Sequence, residues 1–148
     1  MSFLPKSRYG GAYTIKGGGV SFGIKLRPSD VLFSQYVRLL QGKCQRCHSP
    51  VGFNDKGMPN THQASHFQGR AKAPTRHDPE NVDTMCAGCH AYFTAFPYEH
   101  TAWQVKTKGQ KEVDLIVLRS NGYKKRDDKM ECIIWRTALK DLLNNKST

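Results

Sequence analysis

No stretch of the 148-residue chain approaches the ~18 consecutive apolar residues that a membrane-spanning helix needs. The opening segment, MSFLPKSRYGGAYTIKGGG, has none of the continuous apolar character of a secretory signal. The expectation is therefore a cytoplasmic protein with no membrane partner. Apolar residues are also scarce, at 38% with a mean hydropathy of −0.62, which is lean for a single domain of this size and suggests that something besides apolar burial holds the fold. Acidic residues are scarcer still. Twelve Asp and Glu stand against 23 Lys and Arg, for a net charge of +11 spread from Lys6 to Lys146. A polyanion is the partner this composition favours, and nucleic acid more than lipid, because no cationic helix with a broad apolar face is present.

What the chain does have is five cysteines, four of them in two C-x-x-C pairs: Cys44 with Cys47, and Cys86 with Cys89. In a reducing compartment such pairs read as metal ligands rather than disulfides. Four thiolates can complete a tetrahedral zinc shell. A structural zinc ion contributes roughly 10–16 kcal/mol in small zinc peptides, more than the net stability of about 5–15 kcal/mol of a typical domain. Thirty-eight residues separate the pairs, against ~15–20 in common zinc ribbons, so the insert is expected to be an ordered unit pinned at both ends. Cys132 is left over as a small apolar residue, and His48 as a surface neighbour of the first pair.

Residues 1–28 read as a flexible, basic, Gly-rich arm, and residues 29–148 as one domain with a core at about 42–97 and helices at about 109–144. Within RPSDVLFSQYVRLLQG, Ser29 is the expected N-cap and Gly42 the stop of an amphipathic helix. Turn formers fill 51–63, THQASHF is expected as a strand, and 69–81 as a loop. A helix after Cys89 should end at Pro97. GQKEVDLIVLRSNG reads as a helix, with its β-branched content leaving a strand open. DDKMECIIWRTALKDLL reads as a helix capped by Asp128 and Glu131, with Met130, Ile133, Ile134, Ala138, Leu142 and Leu143 as its apolar stripe. The fold class is α+β: a small ββα core with structural zinc between two knuckles, flanked by α-helices.

The stretch ENVDTMCAGCHAYF carries the chemistry. His90, directly after a zinc cysteine, has its direction fixed by the ion and suits a second, catalytic metal. Asn81 is placed to hydrogen-bond backbone across the loop and hold a histidine of the opposite strand, His66. His62 would share a strand face with His66. Arg70, Lys72 and Arg76, between His66 and Asn81, are candidate DNA contacts, since a guanidinium can make two hydrogen bonds to phosphate oxygens. His77 and His100 read as surface or locally hydrogen-bonded residues.

The order His66, Asn81, His90 bracketed by two Cys pairs resembles the HNH branch of the ββα-metal endonucleases. FSQYVRLL, CQRC, ASHFQGR, TRHDPENV and CAGCH together resemble the phage lambda Rap/NinG recombination family within that branch. The resemblance implies a general base at His66, an orienting Asn81, and Mg²⁺ or Mn²⁺ at His90. Most HNH enzymes have an acidic residue or histidine just before the base, where this chain has Ser65; the Rap/NinG pattern is SHF. Ser65, His62, Asp78 and Asp83 stay open as further ligands. The implied function is metal-dependent, structure-directed cleavage of DNA in D-loops and Holliday junctions, in the host cytoplasm if the chain is phage-encoded, with a homodimer as the form that suits two-fold junctions. Two other readings share the framework: a non-catalytic zinc module that binds nucleic acid, and a sequence-specific HNH enzyme, for whose added recognition domain the chain has little room.

Overall fold

A computed structural model of the chain describes residues 15–16, 19–20 and 24–146. Most of the arm expected over residues 1–28 lies outside the described residues; within it, the backbone pairs β1 (Ile15–Lys16) with β2 (Gly19–Val20) in antiparallel register. Helix and strand are mixed: α1 (Pro28–Gln41), β3 (Gln63–His66), α2 (Ala73–Arg76), β4 (Val82–Met85), α3 (Ala87–Ala95), α4 (Pro97–Lys108), α5 (Gln110–Ser120) and α6 (Asp128–Lys146) follow in order.

The first helix starts two residues earlier than expected. Arg27 is its N-cap, Pro28 occupies the first turn, and the Asp30 carboxylate accepts the Arg27 amide at 2.7 Å. Ser29, expected as the cap, instead donates its hydroxyl to Asp128 of α6. Gly42 ends α1 in the left-handed region (φ 70°), its amide donating to the Arg38 carbonyl at 2.9 Å.

β3 and β4 pair antiparallel, with Gln63 opposite Met85, Ala64 opposite Thr84, Ser65 opposite Asp83 and His66 opposite Val82. Because side chains alternate along a strand, the sheet has two distinct faces. One packs Ala64 and Val82 against Phe33 and Val37 of α1, with Trp135 of α6 closing the cluster. The other packs Met85 against Phe93 of α3, Cys44 and Cys89, with Tyr92 and Trp103 around them. A sheet of two strands is marginal alone; here both faces are covered.

The expected helix over 110–120 and the helix end at Pro97 hold, whereas the loop expected over 69–81 contains the short helix α2 and the cap and stripe of α6 need correction. Pro97 does end α3, but it also opens α4, because a proline's missing N–H costs nothing in a first turn. The 110–120 segment is helical, with Val113 and Ile116 buried one turn apart. The α6 cap is Asp127, whose side chain accepts the Met130 amide at 3.0 Å, while Glu131 turns toward Trp135, His77 and Lys124. The buried stripe of α6 is accordingly rotated: Leu139 and Trp135 face α1, and Met130, Ile133 and Ile134 lie exposed. No described helix is long and apolar enough to cross a membrane.

Candidate functional site

The two cysteine pairs arrive from opposite ends of the insert. Cys44 follows the Gly42 turn, and its amide and carbonyl bond Ser49 and His48 at 2.9 Å each, closing a tight knuckle whose His48 takes a left-handed φ of 65°. Cys86 caps α3, accepting the Cys89 amide at 3.4 Å. All four sulfurs lie within 4.8 Å of one another, and Cys47 and Cys86 stand 3.7 Å apart. Tetrahedral zinc with Zn–S bonds of ~2.3 Å needs sulfurs about 3.8 Å apart, so the cluster fits that ion. Hydrogen bonds from the Ser49 hydroxyl and amide hold the Cys47 thiol down at about 6, which favours the thiolate that zinc takes. Arg46, stacked 4.2 Å over the Tyr92 ring, directs its guanidinium at the Cys89 sulfur.

His66 closes β3, its ring beside Phe33 at 6.4 Å between centroids. Nε2 bonds the Arg76 carbonyl at 2.8 Å. A carbonyl only accepts, so Nε2 carries the proton and Nδ1 keeps its lone pair; among the described residues that atom has no hydrogen-bond partner. Burial pushes the His66 pKa down to about 4, against the opposing pull of the Arg76 carbonyl. The ring is therefore neutral at neutral pH.

Asn81 is completely buried. Its Oδ1 accepts the Gln68 amide at 2.7 Å, and its Nδ2 donates to the carbonyls of Gln68 and Thr75, both at 2.9 Å. One side-chain amide thus ties the beginning of the loop after His66 to its end. Thr75 precedes the residue whose carbonyl holds the imidazole, so Asn81 acts on His66 through the backbone.

His90 lies in the first turn of α3, its amide bonded to the Cys86 carbonyl at 3.0 Å. Its Nδ1 bonds the side-chain oxygen of Gln63. That oxygen accepts, so Nδ1 holds the proton and Nε2 keeps its lone pair, with no hydrogen-bond partner among the described residues. Burial lowers the His90 pKa, and the positive charge of Arg70 lowers it further. Sequence reasoning missed Gln63: no motif marks it, and only the strand register, which sets it opposite Met85 at the edge of the second knuckle, brings it to His90.

His66 and His90 line the same two clefts. One, of about 530 Å³, opens between β3, α3, α4 and α5; the other, of about 490 Å³, opens between α1, β3 and the loop at Arg70. Ser65, on the opposite strand face from His66, is buried and reaches the first cleft. His62 borders the second, but it precedes β3 with a left-handed φ of 64° and does not share the strand face of His66. Its ring is held by Ser49 and Thr61. Asp78 pairs with Arg119, and Asp83 with Gln104 and Lys108. Among the described residues the four cysteines form the only convergent group of three or more His, Cys, Asp or Glu side chains.

Arg76 is not the loop cation the sequence suggested. Its side chain is buried and makes a two-pronged ion pair with Asp30, Nε to Oδ1 at 2.8 Å and Nη2 to Oδ2 at 2.5 Å, with Nη2 also on the Lys25 carbonyl. It cannot grip a phosphate without abandoning a desolvated carboxylate. Next to it, His77 is likewise enclosed, bonded to Asp30 at 2.9 Å and to Glu131 at 3.0 Å. Arg70 borders the 490 Å³ cleft, and Lys72 is exposed with its amine on Asn121. His100 is buried and stacked on Phe93 at 4.5 Å, its pKa pushed down to about 4 by burial.

No protein-family model matches the chain, and no curated protein or solved structure matches it either.

Proposed function

We propose that this chain is a metal-dependent, structure-directed DNA endonuclease of HNH type, related to the Rap/NinG recombination nucleases, with zinc on the four cysteines as a structural ion. The observation that carries the reading is a pair of imidazoles with complementary free nitrogens. Nδ1 of His66 and Nε2 of His90 are both left with lone pairs by hydrogen bonds at the other ring nitrogen, and both rings border the same clefts.

Two free nitrogens in one place suit two tasks in phosphodiester hydrolysis. His66 is the general base: Nδ1 takes a proton from water, the hydroxide oxygen bonds to phosphorus, and the P–O bond to the departing sugar oxygen breaks, that oxygen leaving with a proton from solvent. The Arg76 carbonyl holds the ring throughout and stabilises the imidazolium that forms. Nε2 of His90, oriented by Gln63, would hold Mg²⁺ or Mn²⁺, whose charge favours the strained phosphate and the departing oxygen. One histidine is a sparse protein shell, which suits a hard cation that keeps waters and takes phosphate oxygens. Arg70 and Lys72 serve the DNA backbone, and the net charge of +11 supports sequence-independent attraction to it.

The test is cleavage of supercoiled plasmid and of a synthetic four-way junction by the zinc-loaded protein with Mg²⁺ or Mn²⁺. The expected result is cutting that a His66→Ala variant loses by 10²-fold or more. Equal cutting by both proteins would remove His66 as the base. Binding without cutting under either metal would leave a zinc-dependent nucleic-acid-binding module.

A further inference from the structure

The two clefts that meet at His66 and His90 differ in charge. The 490 Å³ cleft is bordered by Arg38 and Arg70, and by Asp30, whose carboxylate is already taken up by Arg76 and His77. Among the described residues, the 530 Å³ cleft has no Lys or Arg in its lining and carries one carboxylate, Asp114. A phosphodiester chain crossing the pair of imidazoles has an anionic part and an uncharged part, and the clefts sort them. The phosphates fit beside the guanidinium groups, and a neutral, flat group fits the other side.

The walls of the 530 Å³ cleft suit a nucleobase. Phe67, Phe93, Pro97 and Val117 supply apolar surface, and the Phe93 ring is fixed by stacking on His100, against whose edge Phe67 packs at 5.5 Å. Gln68, Thr94, Gln110 and Asp114 offer donors and acceptors at the margins. A volume of about 530 Å³ falls within the roughly 300–1,000 Å³ of small-molecule sites.

We infer that the cleft between β3 and α3–α5 is a subsite for an unpaired nucleobase next to the scissile phosphate. The inference rests on the endonuclease reading and deepens it. Taking a base out of a paired stack costs a few kcal/mol, and least where the base is already unpaired. Branch points, where pairing is interrupted, therefore fill the subsite at lowest cost. Preference for branched DNA then follows from the cleft, with no base sequence being read.

The test uses the full-length, zinc-loaded chain. The cut phosphate is first mapped on a junction with an unpaired nucleotide beside it, and that nucleotide is then replaced by an abasic site. Stacking is worth about 1–3 kcal/mol per base, so the base-bearing substrate should be cut about tenfold faster. Val117→Trp and Thr101→Trp, which fill the cleft from its partly exposed rim, should bring that ratio near one. Equal rates on the two substrates with the unmodified protein, or a ratio that both variants leave intact, would overturn the subsite. In parallel, 2-aminopurine at the unpaired position is followed without added Mg²⁺ or Mn²⁺; its emission should be quenched on binding, and less so with Val117→Trp. Quenching that depends on Val117, in a protein that cuts nothing, keeps the base subsite and removes the nuclease. Unquenched emission in a protein that cuts junctions removes the subsite alone.

Discussion

The main chain of Arg76 holds the ring of His66 at 2.8 Å while the Arg76 side chain turns the other way, into a buried ion pair with Asp30. One residue thereby couples the position of the proposed base to the packing of α1. Asp30 reaches past Arg76 to His77, and His77 to Glu131 of α6.

Removing one partner of a buried pair leaves the other charge desolvated and alone, at a cost of about 3–5 kcal/mol. Asp30→Ala is therefore expected to lower stability by about that much in urea unfolding, and to reduce cutting at temperatures where the variant is folded. A loss under about 1 kcal/mol would show that Arg76 finds solvent easily and does not fix its own carbonyl.

Stability should fall with acid in two stages. Burial pushes His66 and His100 to about 4, below their ordinary 6.5. Between those values the unfolded chain binds more protons than the folded one, so the stability tied to the neutral rings is complete above pH 6.5 and is lost as pH drops toward 4. Burial alone would raise the Asp30 carboxyl, but hydrogen bonds from Arg76, His77 and the Arg27 amide hold it far below the usual carboxylate range. Its contribution is present above about pH 4 and disappears below. Urea midpoints between pH 7 and 5 should decline, and His100→Ala should flatten part of that decline; an unchanged slope would show that His100 titrates normally.

Asn81 satisfies three backbone groups at once, the Thr75 carbonyl buried and the two of Gln68 partly so. Asn81→Ala leaves them without partners, at about 1–3 kcal/mol for each unsatisfied group. Asn81→Asp should be no milder, because a carboxylate oxygen would replace the amide nitrogen against two carbonyl acceptors. Thermal unfolding together with plasmid nicking would measure both effects, and wild-type behaviour of the Asp variant would break the assigned geometry.

One zinc per chain is expected by elemental analysis. Cys44 and Cys89 are buried within a core cluster with Met85 and Phe93, so stripping the ion with a strong chelator should lower both helical signal and cooperativity. Zinc, and not Mg²⁺, should restore them. Full retention of structure after removal would show that the apolar cluster suffices alone.

Arg70 and Arg76 should part company on DNA. Arg70→Ala is expected to weaken binding uniformly and to reduce the slope of log Kd against log salt by about 1. Arg76→Lys, which retains the charge but not the two-pronged pairing, should chiefly cost stability. A similar loss of salt slope for both would mean that Arg76 leaves Asp30 when DNA arrives.

Much of this was legible locally. The C-x-x-C spacing announced the cysteine cluster, since two residues between sulfurs bring both to one side of a knuckle. Gly42, Pro97 and the period of 31–40 marked helix limits to within a residue or two. The donor and acceptor of the Asn side chain suggested that Asn81 would bond backbone across the loop. The faces of elements were harder to read. The α6 stripe was misplaced because Met130, Ile133 and Ile134 satisfy a helical period as well as Trp135 and Leu139 do, and the packing of α1 decides which is buried.

The amino-acid sequence by itself determined the thiol pairs, the basic excess and the order His66, Asn81, His90, because these depend on residue type and short spacing. Tertiary structure decided which ring nitrogens are free, that Gln63 meets His90, and that Arg76 is a buried strut. Those outcomes hang on strand register and on the approach of α1 and α6, and contacts between residues 27 to 54 positions apart leave no mark in any local pattern.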